Sequence, residues 1–216
     1  MSAYTAFLND VMPDVPGCTV DIATHAIKNS CIEFCEKSLI LQRDHDPMTV
    51  VAGIVDYDFE PPTGQLVTRI MRAWYKGTEL TALAPDDIQN SEVYNRLFTG
   101  ANVDRQDPRY ILQKDERTLS LYPIPAETVP NALTMRVAFK PSRTSTTVED
   151  VIYEDYSEAI AAGVKARLMM SPGKPYTNPQ LAGAQMEMFR QAVNVARQRA
   201  NRGHVRSDLG VQLRRI

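Results

Sequence analysis

The chain has 216 residues and a formal net charge of −2, long enough to bury a core without disulfide or metal staples and too balanced as a whole to be a polyanion binder. No apolar run approaches the roughly 18 residues needed to span a bilayer, and MSAYTAFLND lacks the basic and apolar regions of a secretory signal. The sequence therefore predicts a soluble protein, intracellular where it is made, with no membrane contact. Its three cysteines, Cys18, Cys31 and Cys35, give no paired framework and read as small buried hydrophobes in a reducing compartment.

In chain order, Ala3 to Met12 can form a short helix that stops before Pro13, and DVPGC is a loop. A longer helix is predicted from Val20 to Leu41, with Ala23, Ile27, Cys31, Phe34 and Cys35 on one face. RDHDP breaks this pattern, and the period then changes to alternation. Val55, Tyr57 and Phe59 alternate with Asp56 and Asp58, and PPTG turns. Leu66 to Tyr75 is β-rich and reaches a turn at Lys76-Gly77, while Ala84-Pro85-Asp86-Asp87 looks like the start of a brief helix towards Phe98. Tyr110 to Gln113 and Thr118 to Tyr122 flank KDER as a hairpin, and Leu133, Met135, Val137 and Phe139 alternate strictly.

The strongest periodic signal lies between Asp150 and Arg202. Tyr156, Ala159, Ile160, Gly163, Val164 and Leu168 line one helix, with Asp150 as its expected cap and Glu154, Asp155 and Glu158 in its first turns. Ala182, Met186, Phe189, Val193, Ala196 and Ala200 line a second helix, capped by Asn178, opened by Pro179 and stopped by Gly203. SPGKP between them forces a corner, so the two helices should lie antiparallel and side by side. HVRSDLGVQLRRI, from His204, has no core of its own and reads as a tail that orders on a partner or stays mobile.

The predicted fold class is α+β. An α-helical bundle, 1–46 with 142–203, holds N-terminal helices and the C-terminal hairpin; an antiparallel β domain, 47–141, is inserted in it, and 204–216 is an extended C-terminal tail.

A search for chemistry finds no catalytic constellation and no cofactor motif. Asp44-His45-Asp46 reads as a polar corner rather than an ion site, and His25 beside Cys31 and Cys35 makes an incomplete ligand set. Gly173-Lys174 lacks the upstream glycine and following hydroxyl of a phosphate loop, and no GxSxG occurs. Glu149, Asp150, Glu154, Asp155 and Glu158 could supply the carboxylate pair of a glycoside hydrolase, but they read first as a solvated helix start or an acidic patch for arginines of a neighbouring chain. From Arg197 onward there are six arginines against one aspartate. They fit a protein interface or a solvated end, and alternatively a nucleic-acid contact, although no aromatic residues interleave them. Glu154, Asp155, Glu158, Arg190, Arg197 and Arg199 are the inter-subunit candidates.

The hairpin YSEAIAAGVKARLMMSPGKPYTNPQLA, with its small-residue helix, PGKP corner and NP start, resembles the head-to-tail adaptor proteins of tailed phages. MPDVPGCTVDIATHAIKNSCIEFCEKS followed by a β segment resembles the same family, as does the order helix, β insertion, hairpin, tail. The resemblance implies a non-enzymatic virion protein, made in the host cytoplasm, that forms a homo-oligomeric ring of about twelve subunits in the neck. Such a ring lies between portal protein and tail nozzle or tail tube protein, and genomic DNA passes through its channel without sequence-specific binding. The tail residues Arg202, His204, Arg206, Leu209, Leu213, Arg214, Arg215 and Ile216 would then dock on the portal. A peptidoglycan-degrading neck protein and a nucleic-acid-binding module are the alternatives.

Overall fold

The computed structural model describes residues 1–84 and 106–202; the expected brief helix towards Phe98 and the tail 204–216 lie outside the described residues. The chain is mixed α+β, with four α helices and mainly antiparallel sheets among these residues. It divides into two compact units, Met1–Ile40 with Thr146–Ile216, and Leu41–Ser145. No described helix is long and apolar enough to cross a membrane.

In the helical unit, strand β1 (Ser2–Ala3) pairs antiparallel with β10 (Thr147–Val148). Short 3-10 turns at Tyr4–Phe7 and Met12–Asp14 flank helix α1 (Leu8–Val11). The expected single helix is thus broken, and Pro13 sits in the second turn rather than just beyond a stop, where its missing N–H costs nothing. Helix α2 (Val20–Ser38) buries all five predicted apolar residues. It ends earlier than Leu41 because Leu39 turns left-handed at φ 54°, and its neighbour Ile40 N–H donates to Ser38 Oγ at 3.3 Å.

Helix α3 (Asp150–Met169) is buried over more than the one predicted face: Ile152, Ala161, Ala162, Ala166 and Met169 join Tyr156, Ile160, Gly163, Val164 and Leu168. Such a helix packs against several neighbours, and its many alanines permit close approach. Helix α4 (Pro179–Arg202) is one-sided, burying Ala182, Phe189, Val193 and Ala196. Its start matches the expected cap, since Leu181 N–H donates to Asn178 Oδ1 at 3.1 Å. In the corner, Thr177 Oγ1 accepts from Lys174 N–H at 3.0 Å and donates to Ser171 O at 2.6 Å. Aromatic rings knit the helices: Phe34 of α2 lies 5.0 Å from Tyr156 of α3 and 6.0 Å from Phe189 of α4, centroid to centroid. Gly163 leaves the space that the Phe189 ring fills, for a Cβ there would stand 2.6 Å from Phe189 Cδ2.

Among its described residues the strand unit holds two four-stranded sheets. In one, β9 (Val129–Pro141) lies between β2 (Gln42–Val50) and β4 (Gln65–Tyr75), and β5 (Thr78–Glu79) completes the order β2-β9-β4-β5. Leu133, Met135, Val137 and Phe139 are all buried, as their alternation predicts. RDHDP is not a break: it lies in β2, whose register shifts between His45 and Met48. An edge strand with a bulge is where a sheet tolerates Pro47, which has no N–H to donate. Lys76 and Gly77, at φ 48° and 80°, link β4 to β5 through the left-handed pair that a two-residue hairpin needs.

The second sheet runs β3 (Asp56–Asp58), β8 (Thr118–Tyr122), β7 (Tyr110–Gln113), β6 (Thr81–Ala82). The β7–β8 hairpin falls where KDER predicts it, and Asp115 Oδ1 closes its turn by accepting from Arg117 N–H at 2.7 Å and Thr118 N–H at 2.8 Å. One expectation of a purely antiparallel unit is corrected, because β6 pairs parallel with β7. A parallel pair needs a crossover rather than a tight turn, and residues 83–109 supply its length. Ile70 N–H of one sheet donates to Gln113 Oε1 of the other at 3.0 Å.

Candidate functional site

The sequence offers two kinds of candidate, reactive clusters and charged surfaces, and the structure treats them differently. Among the described residues no group of three or more His, Cys, Asp or Glu is placed to hold a metal ion. His45 projects from β2, donates from Nδ1 to Asp46 O at 2.8 Å, and meets the Phe59 ring edge-on at 5.8 Å. The three cysteines are free and buried. Burial pushes the Cys31 and Cys35 thiols far above their ordinary range, which keeps them protonated and inert as nucleophiles. Gly173, at φ 70°, serves the interhelical corner.

A groove of about 760 Å³ in the strand unit runs along Arg69 to Ala73 of β4, Glu79, Leu80, Ala82 to Ala84, and Ile111 and Gln113 of β7. Its charged residues are Arg69, Arg72 and Glu79, with Arg72 Nε 3.9 Å from Glu79 Oε1. That set holds no nucleophile beside a base, the minimum for covalent catalysis.

The acidic start of α3 separates into distinct roles. Glu149, not Asp150, occupies the cap position and makes no capping bond with its side chain. Asp150 instead accepts from the Met1 ammonium and from Ser2 Oγ, the latter at 2.7 Å. Those two bonds hold its carboxyl below the usual carboxylate range, and with the β1–β10 pair they fix the first residues against the start of α3. Asp155 is bonded within the chain: Arg199 Nη1 donates to its Oδ2 at 2.8 Å and to Tyr156 Oη at 3.3 Å. Because α3 and α4 run antiparallel, the acidic start of one meets the basic end of the other, which satisfies both helix dipoles.

The remaining inter-subunit candidates stand apart. Glu154, Glu158, Arg190 and Arg197 are exposed, and among the described residues they make no ion pair. Arg202 is the last described residue and is exposed; His204, Arg206, Leu209, Leu213, Arg214, Arg215 and Ile216 lie outside the described residues.

Sequence reasoning missed two features of this unit. Glu33 of α2 accepts from both Lys37 and Arg167 of α3, and only the one-turn spacing to Lys37 is visible along the chain. Burial raises the Glu33 carboxyl and the two cations more than reverse it, leaving it below its ordinary value. The second is an outward apolar stripe on α4, where Leu181, Met188 and Val195 are 42%, 57% and 63% exposed. Its seven-residue spacing was legible, but the stronger buried stripe on the same helix hid it.

Compared with known families, residues 3–210 match the family model described as SU10 adaptor protein. No curated protein matches the chain.

Proposed function

The chain belongs to the SU10 adaptor protein family, a phage adaptor family, and from that premise we propose that it is a structural, non-enzymatic part of the virion neck. Copies form a homo-oligomeric ring of about twelve subunits that joins the portal to the tail and continues the channel for genomic DNA. The single observation carrying this reading is the family match across nearly the whole chain. Its chemistry agrees, since the exposed charges suit protein contacts and the thiols are sealed in the core.

In this reading the helical unit, which begins with Met1–Ile40 and resumes at Thr146, forms the body, the strand unit, Leu41–Ser145, faces the tail components, and 204–216 reaches the portal. Arg202, His204, Arg206, Arg214 and Arg215 supply charge for that docking, and Leu209, Leu213 and Ile216 supply apolar anchors. Glu154 and Glu158 of one copy approach Arg190 and Arg197 of the next. A hydrolase finds no support, because Glu154 and Glu158 stand on an exposed face without the apolar enclosure that tunes a catalytic acid.

The test is co-sedimentation with purified portal protein through a density gradient. The full chain should migrate with the portal and a chain lacking residues 203–216 should not. A full chain that stays at the top of the gradient at every ratio rejects the proposal.

A further inference from the structure

Helix α4 presents three faces. The buried stripe of Ala182, Phe189, Val193 and Ala196 holds it to the unit. At about 100° per residue, Leu181, Met188 and Val195 lie about 110° to one side of that stripe, and Arg190 and Arg197 about 80° to the other. Ala184 and Ala192 fill the seam between the three large residues, so over about 20 Å of helix this face carries apolar side chains and no charge. Apolar, methionine-bearing, charge-poor surface is the composition of an interface core rather than of free surface.

The charges around the seam indicate what covers it. Arg199 falls on the seam side of α4 and donates to Asp155 and Tyr156 of α3, so the start of α3 meets α4 on that side; Glu154 and Glu158, both exposed, flank that contact in sequence, one before and one after the non-helical Tyr156 at φ −135° and ψ 16°. One side of the unit therefore joins an apolar seam to acidic residues, and the opposite side of α4 carries Arg190 and Arg197. Both sets are exposed and without ion-pair partners among the described residues. Two complementary patches on different sides of one chain make a head-to-tail contact, which repeats from copy to copy, rather than a two-fold contact of one patch with itself.

We propose that the Leu181–Met188–Val195 seam, with Glu154 and Glu158 beside it, receives the Arg190–Arg197 side of a second copy of this chain. The aliphatic stems of the arginines cover the seam while their guanidinium groups reach the two glutamates. The proposal rests on the ring reading and specifies its inter-subunit face.

The test uses two full-length variants, Met188→Gln with Val195→Gln on the seam side, and Arg190→Glu with Arg197→Glu on the other. All four positions are exposed, and unchanged circular dichroism melting verifies the fold; Met188→Ala with Val195→Ala replaces the first variant if it melts early. Sedimentation is followed for each chain alone and with portal protein added. Wild type should self-associate in at least one condition, and each variant alone should associate on the order of a hundred-fold more weakly. A one-to-one mixture of the variants should form dimers that grow no further, because each retains the side the other has lost. Variants that assemble like wild type overturn the seam and leave the ring reading standing. Blocked variants whose mixture stays monomeric overturn the head-to-tail pairing. A wild-type chain that is monomeric alone and with portal overturns the ring reading, and the seam with it.

Discussion

Substituting Gly163 by alanine sets two effects of opposite sign against each other. Alanine is favoured over glycine inside a helix by about 1 kcal/mol, so an unpacked site would gain stability. Gly163 is packed: a Cβ there would lie 2.6, 2.8 and 3.1 Å from Cδ2, Cε2 and Cγ of Phe189. Contact at Cγ means that turning the ring cannot relieve the clash, since that atom sits at the ring's root. Phe189 is itself 2% exposed and has Phe34 on its flank at 6.0 Å, so the whole α3–α4 contact must open. Overpacking of this kind costs about 1–3 kcal/mol. We expect a net loss of up to about 2 kcal/mol for Gly163→Ala once the gain of about 1 is set against the cost, seen as a fall in melting temperature of about 2–4 °C per kcal/mol. Circular dichroism at 222 nm is the suitable probe, because the helical unit dominates it while Trp74 belongs to the strand unit. Phe189→Leu in the Gly163→Ala background should recover part of the loss. If Gly163→Ala is more stable than wild type, the proposed packing of Phe189 on α3 is wrong.

Phe34→Ala should destabilise the helical unit by about 3–5 kcal/mol, because it empties the site between Tyr156 and Phe189; urea denaturation checks it, and a loss below 1 kcal/mol, about a fivefold change in the folding constant, would argue against a shared aromatic centre. Glu33 has a lowered carboxyl pKa, so its contribution is complete above the ordinary glutamate value of about 4.3 and is lost as pH falls through the lowered folded value. Glu33→Gln should accordingly be less stable than wild type at pH 7 and show a shallower decline towards pH 3 in a series of denaturation midpoints; parallel curves would contradict the assignment. Removing residues 203–216 should leave the melting temperature within about 2 °C, the shift expected for less than 1 kcal/mol, while abolishing portal docking. A large drop in melting temperature would instead place those residues in the core.

Elements with one-sided burial were the most legible in the sequence. On α4 the buried residues Ala182, Phe189, Val193 and Ala196 fall where the spacing places them, while Met186 and Ala200 of the expected stripe are only half-buried, and Asn178-Pro179 marked its start by local bonding alone. α3 was legible only in part, because a helix packed by several neighbours buries Ala161, Ala162 and Ala166, where small residues give little periodic contrast. The polar run with Pro47 concealed a strand, since an edge position and a shifted register are properties of the sheet and not of the segment. Asp150 looked like a cap, yet its partners Met1 and Ser2 stand far away in sequence. Of the candidate site residues, Asp155 and Arg199 pair within the chain, and composition alone could not separate them from Glu154, Glu158, Arg190 and Arg197.

The central claim is that copies of this chain assemble on a portal. It is tested most directly by single-particle images of purified portal complexes taken before and after addition of the chain. The account predicts an added ring of density, coaxial with the portal and at one end only, that is absent when residues 203–216 are removed. Portal images unchanged by saturating protein, or single copies bound off the axis, would contradict it.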